Sequence, residues 1–159
     1  MRIFKYKFAP KGVLKKRHKT TEIILHCSAT KEGKDFKTTD IDKWHRDQGW
    51  TCVGYNYVIE LDGTIMEARG EEYVGAHCTG HNSFSIGICY IGGVDEAGIS
   101  KDTRTAAQKE AMIWLIKWLL KKYNLKIQDV HCHNEYCKKA CPSFSRNKML
   151  LELWAAMDA

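Results

Sequence analysis

One long amphipathic helix constrains this chain more than any other feature. Thr105-Ala-Ala-Gln108 has the form of a capping box, and behind it Met112, Leu115, Ile116, Leu119, Leu120 and Tyr123 recur at the spacing of a core-facing stripe. Lys117, Lys121 and Lys122 fall elsewhere on the surface, and Asn124 is the expected stop. Such a stripe must be buried against other elements, and strand-like runs supply them. Glu22 to His26 reads as a short strand. Tyr55 to Leu61 and Thr64 to Glu67 flank Asp62-Gly63, a dipeptide suited to a tight turn, so these two runs should pair antiparallel. Ser85 to Ile91 is an apolar strand bounded by Gly92-Gly93, and Ile127 to Val130 is a short strand leading into His131-Cys-His133. Two further helices are expected, one capped by Thr39 or Asp40, carrying Ile41, Trp44 and His45 on one face and stopping at Gly49, and one over roughly Arg146 to Met157. The fold class is therefore α/β, a single domain with a mixed central β-sheet flanked by α-helices. At 159 residues, 44% of them hydrophobic, one core of ordinary size is expected.

The formal charge of +6 is not spread evenly. Arg2, Lys5, Lys7, Lys11, Lys15, Lys16, Arg17 and Lys19 occur with no acid among them, leaving 17 basic against 19 acidic residues downstream. Residues 1–20 are thus expected to be a basic N-terminal arm, with His18 in it, and residues 21–159 the domain proper. The plain reading of the arm is a solvated charge run; the functional one is contact with an anionic polymer, a membrane surface, nucleic acid or a polymerase. No apolar h-region follows Lys19, so no classical export signal is expected. No run reaches the roughly 18 apolar residues of a membrane span. The seven cysteines are odd in number and scattered, which cannot close a full disulfide framework. Synthesis in a reducing compartment is expected, with at least one thiolate used as a ligand.

The densest chemistry lies in His131-Cys-His-Asn-Glu-Tyr-Cys-Lys-Lys-Ala-Cys141-Pro-Ser. Zinc takes imidazole nitrogen and thiolate sulfur in a tetrahedron, and the residue types leave two arrangements open beside the plain reading of cysteines that bind nothing. In one, a strand-end His26 completes a site with side chains of this stretch. In the other, Cys132, His133, Cys137 and Cys141 close a structural site by themselves.

Eight segments in order carry a resemblance: His26-Cys-Ser-Ala-Thr30, Trp44-His-Arg-Asp-Gln-Gly-Trp50, Val53-Gly-Tyr-Asn-Tyr-Val-Ile59, Asp62-Gly-Thr64, Gly75-Ala-His77, Ser85-Ile-Gly-Ile-Cys89, Gly92-Gly93 and Lys139-Ala-Cys-Pro-Ser-Phe144. The chain resembles the amidase-type lysozymes of phages and, more distantly, the peptidoglycan recognition proteins, which share the N-acetylmuramoyl-L-alanine amidase domain. The resemblance implies zinc-dependent (Zn2+) hydrolysis of the amide between N-acetylmuramic acid and L-alanine in bacterial peptidoglycan, by a monomer acting at the cell wall. It places His26, His133 and Cys141 as the metal ligands, Tyr55 and Lys139 as catalytic residues, and His77 at the substrate. Asn82 is expected to be a turn residue and His45 a packing histidine. The rival within the same resemblance is a module that binds peptidoglycan without cutting it; such forms usually lack the cysteine ligand, which is present here as Cys141. Four departures stand out: Asn56 where the phage enzymes place histidine, Ser143 where many relatives have glycine, residues 1–20 longer and more basic than a minimal domain needs, and the additional Cys132 and Cys137.

Overall fold

Thr105 and Gln108 cap the long helix reciprocally, the Thr105 hydroxyl accepting from the Gln108 amide at 3.0 Å and the Gln108 side chain accepting from the Thr105 amide at 3.0 Å. In the computed structural model, which describes residues 1–157, this helix spans Ala106–Lys122. It is the second of three, the others being Thr38–Asp47 and Arg146–Met157, so the three are α1 (Thr38–Asp47), α2 (Ala106–Lys122) and α3 (Arg146–Met157). The strands are β1 (Ile3–Lys5), β2 (Glu22–Cys27), β3 (Thr30–Lys31), β4 (Tyr57–Ile59), β5 (Ile65–Glu67), β6 (Ser85–Tyr90), β7 (Gly93–Val94) and β8 (Val130–Cys132). Six of them form one sheet in the order β1-β5-β4-β6-β2-β8, and β3 pairs with β7. Among the described strands of this sheet only β4 with β5 is antiparallel; β2 runs parallel to both β6 and β8, β4 to β6, and β1 to β5. This is the mixed sheet expected from the sequence.

The two faces of the sheet take different partners because side chains alternate along a strand. Ile23, Leu25, Tyr57, Ile59, Ile86 and Ile88 join Met112, Leu115, Ile116 and Leu119 of α2 and Met149 and Leu153 of α3 in one core, and all of these are at most 1% exposed. Val58 and Cys89 point the other way and pack with Ile41, Val53, Ala68 and Ile91 on the side of α1. Gln108 fastens α2 to the sheet, its amide donating to the carbonyls of Ile59 and Ile91 at 3.3 and 3.0 Å.

Three details differ from expectation, each for a local reason. The N-cap of α1 is Lys37, earlier than Thr39 or Asp40, because the buried Glu60 carboxylate accepts from both the amide and hydroxyl of Thr38 at 2.8 and 2.9 Å. Asp40 instead serves at the third position of the helix, accepting from the Lys37 amide at 2.7 Å. The strand expected at Ile127 to Val130 begins only at Val130, since Asp129 accepts from the Lys126 amide at 2.8 Å and winds Ile127–Asp129 into a 3-10 turn. Residues 1–20 lie along the body of the protein: β1 lengthens the sheet edge, the Tyr6 hydroxyl donates to Asp42 at 2.7 Å, and the Val74 and Arg17 amides bond to Lys15 and Glu72. Their basic side chains, apart from a half-buried Arg17, remain exposed.

A buried cation ties the last third of the chain together. The fully buried Arg104 side chain donates to Asp102 at 2.9 Å and to Glu152 of α3 at 3.0 Å, and its guanidinium lies 4.0 Å over the ring of Phe144. Removing one partner from such a cluster strands buried charge, so Arg104→Ala is expected to cost about 3–5 kcal/mol, read as a lower urea midpoint. Partial burial pushes the Asp102 carboxyl up, but the bonds from Arg104 and Lys148 outweigh it and hold its pKa well below the usual carboxylate range. That contribution to stability is complete above the unfolded value near pH 4 and is lost as pH falls through the folded pKa. An Arg104→Ala protein should therefore lose less stability on acidification than the parent, and equal acid sensitivity would contradict this account.

A candidate metal centre at the ends of the parallel strands

His26 stands near the end of β2, in register with Cys89 of β6, and is 1% exposed. It faces away from the α2 core, because Ile23, Leu25 and Cys27 take that side. On the other flank of β2 runs β8, whose end delivers His133 directly into a 3-10 turn, His133–Glu135. The chain then loops back through Cys141, and the Cys27 amide of β2 donates to the Cys141 sulfur at 3.2 Å.

This loop is held at four further points. The Tyr90 hydroxyl donates to the Pro142 carbonyl at 2.7 Å, the Ser143 hydroxyl to Gly93 at 2.7 Å, and the Ser143 amide to Ala140 at 2.7 Å. Phe144 is buried beneath Arg104. Ser143 has φ +69°, the left-handed region that glycine enters without strain, and its hydroxyl contact to the Gly93 carbonyl helps hold it there.

The result is a cluster drawn from both ends of the sequence. One ligand atom each from His26, His133 and Cys141 lies within 4.8 Å of the others, the His26 Nδ1 being 3.8 Å from the Cys141 sulfur. The His26 and His133 rings are 4.5 Å apart. Among the described residues this is the one such group of three or more. The closed alternative is not assembled: Cys132 is fully buried in the α2 core, and the Cys137 thiol lies 3.5 Å from the His133 carbonyl.

These side chains suit a metal. Zinc requires neutral imidazole and ionised thiol. Burial lowers the pKa of His26 well below its ordinary value, with nearby His77, His133 and Lys139 acting in the same direction, and burial with Lys139 also lowers that of His133. The hydrogen bond between Cys27 and Cys141 draws the pKa at Cys27 down to about 7 and, together with burial, pushes the Cys141 thiol up, so a metal held by Cys141 would displace its proton on binding. The Nδ1 of His133 is buried without a hydrogen-bond partner among the described residues. An orphaned buried nitrogen is costly, and a metal beside His26 and Cys141 would satisfy it.

A cleft of about 310 Å³ opens beside the cluster, lined in part by Trp50, Tyr55, His77, Asn82, His133 and Lys139. The structure thus gathers all six of the side chains singled out in the sequence, the three ligands and Tyr55, Lys139 and His77. The Tyr55 ring is 5.1 Å from that of His26, and burial raises its phenol pKa well above the usual value. Lys139 is exposed. His77 is 8% exposed and has both nitrogens engaged, Nδ1 with His26 Nε2 at 2.8 Å and Nε2 with the Ser85 hydroxyl at 3.3 Å. Asn82 does act in the turn, its side-chain oxygen accepting from the His77 and Cys78 amides at 2.9 Å each. His45 packs as expected, its Nδ1 accepting from the Gly54 amide at 2.8 Å. Sequence reasoning passed over Ser85 and the cleft wall at Trp50; the aromatic ending of Trp44 to Trp50 was the available signal for the latter. Asn56, the departure from histidine, is fully buried, receiving the Gly87 amide at 3.0 Å and donating to Tyr73 at 3.0 Å.

Residues 16–144 match the family profile described as N-acetylmuramoyl-L-alanine amidase. The chain is 42% identical over 130 residues to the endolysin of Escherichia phage T7, covering 82% of this chain and 85% of that one. It is 40% identical over 129 residues to the endolysin of Klebsiella phage KP32, covering 81% and 84%. Among solved structures it is similar to the N-acetylmuramoyl-L-alanine amidase LysC of Clostridium intestinale URNW, with a TM-score of 0.81, 26% identity and coverage of 94% and 95%.

Two glycines cut the slot in which His77 sits: a methyl group on Gly75 or on Gly87 would lie 2.6 Å from its ring. Gly87→Ala is therefore expected to cost about 1–3 kcal/mol by overpacking, measured as a shifted denaturation midpoint. An unchanged midpoint would show that the ring has room to move.

Proposed function

The chain belongs to the N-acetylmuramoyl-L-alanine amidase family, and we propose on that premise that it hydrolyses the amide between N-acetylmuramic acid and L-alanine of bacterial peptidoglycan, at the cell wall, using zinc held by His26, His133 and Cys141. The observation that carries the reading is the convergence of these three side chains, with the unpaired His133 Nδ1 among them, at the edge of an open cleft. Three protein ligands leave a fourth position free, and zinc so held supplies Lewis acidity together with a water acidified toward neutral pH.

The chain's own residues account for the rest of the chemistry. Hydrolysis places negative charge on the carbonyl oxygen and requires a proton for the departing amine. Tyr55 and Lys139 line the cleft beside His133 and are assigned to these two tasks. Burial keeps the Tyr55 phenol protonated, which suits a hydrogen-bond donor to the oxyanion. Lys139, at the exposed rim, suits the leaving side, where its product peptide meets solvent. His77 and Trp50 complete the wall along which the substrate would lie. Cys141, the residue usually lacking in relatives that only bind, favours cleavage over mere recognition.

Purified peptidoglycan incubated with the protein should release free stem peptide, identified by mass, and the purified protein should contain one zinc per chain. A strong chelator or His133→Ala should abolish release. Tyr55→Phe and Lys139→Ala should each lower kcat by about 10²–10³-fold while zinc content is retained. Cleavage that survives metal removal, or products cut within the glycan, would refute the assignment.

A further inference from the structure

His26 must present one ring nitrogen to the cluster, and the structure specifies which. Nδ1 faces the Cys141 sulfur at 3.8 Å, while Nε2 is 2.8 Å from His77 Nδ1. A neutral imidazole carries a single N–H. If Nδ1 offers its lone pair to a metal, the proton is on Nε2, and His77 Nδ1 has to accept it. The His77 proton then lies on Nε2 and is donated to the Ser85 hydroxyl at 3.3 Å. The opposite polarity would aim an N–H from His26 at the cluster and leave no lone pair there.

We infer that His77 is a positioning residue, which acts through the His26–His77–Ser85 chain to hold His26 in the Nε2–H tautomer with Nδ1 turned toward His133 and Cys141. The inference rests on the metal reading proposed above and goes beyond it, since His77 touches none of the three ligand atoms through which the metal would be held. Water does not compete for these bonds, because His26, His77 and Ser85 are 1%, 8% and 0% exposed. The ring cannot drift, because Gly75 and Gly87 form a slot that a single methyl would close, and Asn82 pins the backbone at residues 77 and 78. Partners that orient a ligating histidine through its second nitrogen are worth about 10–100-fold in metal affinity.

The test compares full-length wild type with His77→Asn and His77→Leu, measuring zinc affinity by competition with a chelator and the urea midpoint of the metal-free proteins. Asparagine keeps a side-chain oxygen at the level of Nδ1; leucine fills the slot but accepts no hydrogen bond. His77→Leu should bind zinc about 10–100-fold more weakly, whereas His77→Asn should stay within a few-fold of wild type. A role in packing alone would give the reverse order, since leucine fills the space better, and that order in either zinc affinity or cleavage would overturn the inference. Equal affinities in all three proteins would also overturn it. Nitrogen-15 imidazole shifts of zinc-loaded wild type give a reading independent of the variants' folding: His26 and His77 should both be protonated at Nε2. Metal bound through His26 Nε2 would sink the inference while leaving the amidase reading intact, whereas wild type that binds no zinc would sink both.

Discussion

The parallel pairing of β2 with β6 on one side and β8 on the other is the arrangement on which everything else rests. Because all three strands run the same way, their carboxyl ends lie side by side, and the chain leaves each at the same edge of the sheet. His26 occupies one of these ends, and His133 and Cys141 follow another. The Cys27 amide, just past His26, donates to the Cys141 sulfur, so the strand that carries one ligand also steers a second. A shift of one residue in β2 would turn His26 into the α2 core and bring Cys27 or Leu25 out in its place.

Burial then decides the chemistry of what the strands collect. The cluster sits against a core, and burial keeps the imidazoles of His26 and His133 neutral. The same desolvation would be costly for His26 and His77 if they lacked partners, and they meet it by bonding to one another and to Ser85. His133 Nδ1 is the exception. Among the described residues it is a buried side-chain nitrogen left open beside an imidazole and a thiol, and the proposed metal would satisfy it.

The supporting structure is remote from the cleft yet tied to it. Arg104 joins the approach to α2, the helix α3 and Phe144, and Phe144 ends the loop that begins at Cys141. Gln108 fastens the first turn of α2 onto β4 and onto Ile91 just after β6. The helix that dominates the sequence therefore braces the face of the sheet opposite the cluster, and its contribution to the site is rigidity rather than contact.

Local order was legible in the residues wherever a short-range bond or an alternating pattern decides it. The Thr105 cap, the Asp62-Gly63 turn, the extent of α3 and the apolar strands β2 and β6 all follow from neighbours a few positions apart. Where a distant side chain intervened, the reading slipped: Glu60 moved the start of α1, and β1 and the residues after it were drawn along the sheet edge. Which histidines and cysteines had chemistry to offer was visible from their types and from the family resemblance. Which of them meet was not, because Cys132 and His133 are adjacent in the chain and differ only in the side of β8 from which they leave. The direction and register of β2 between its neighbours, a matter of long-range pairing, sent Cys132 into the core, His133 to His26, and His77 behind them both.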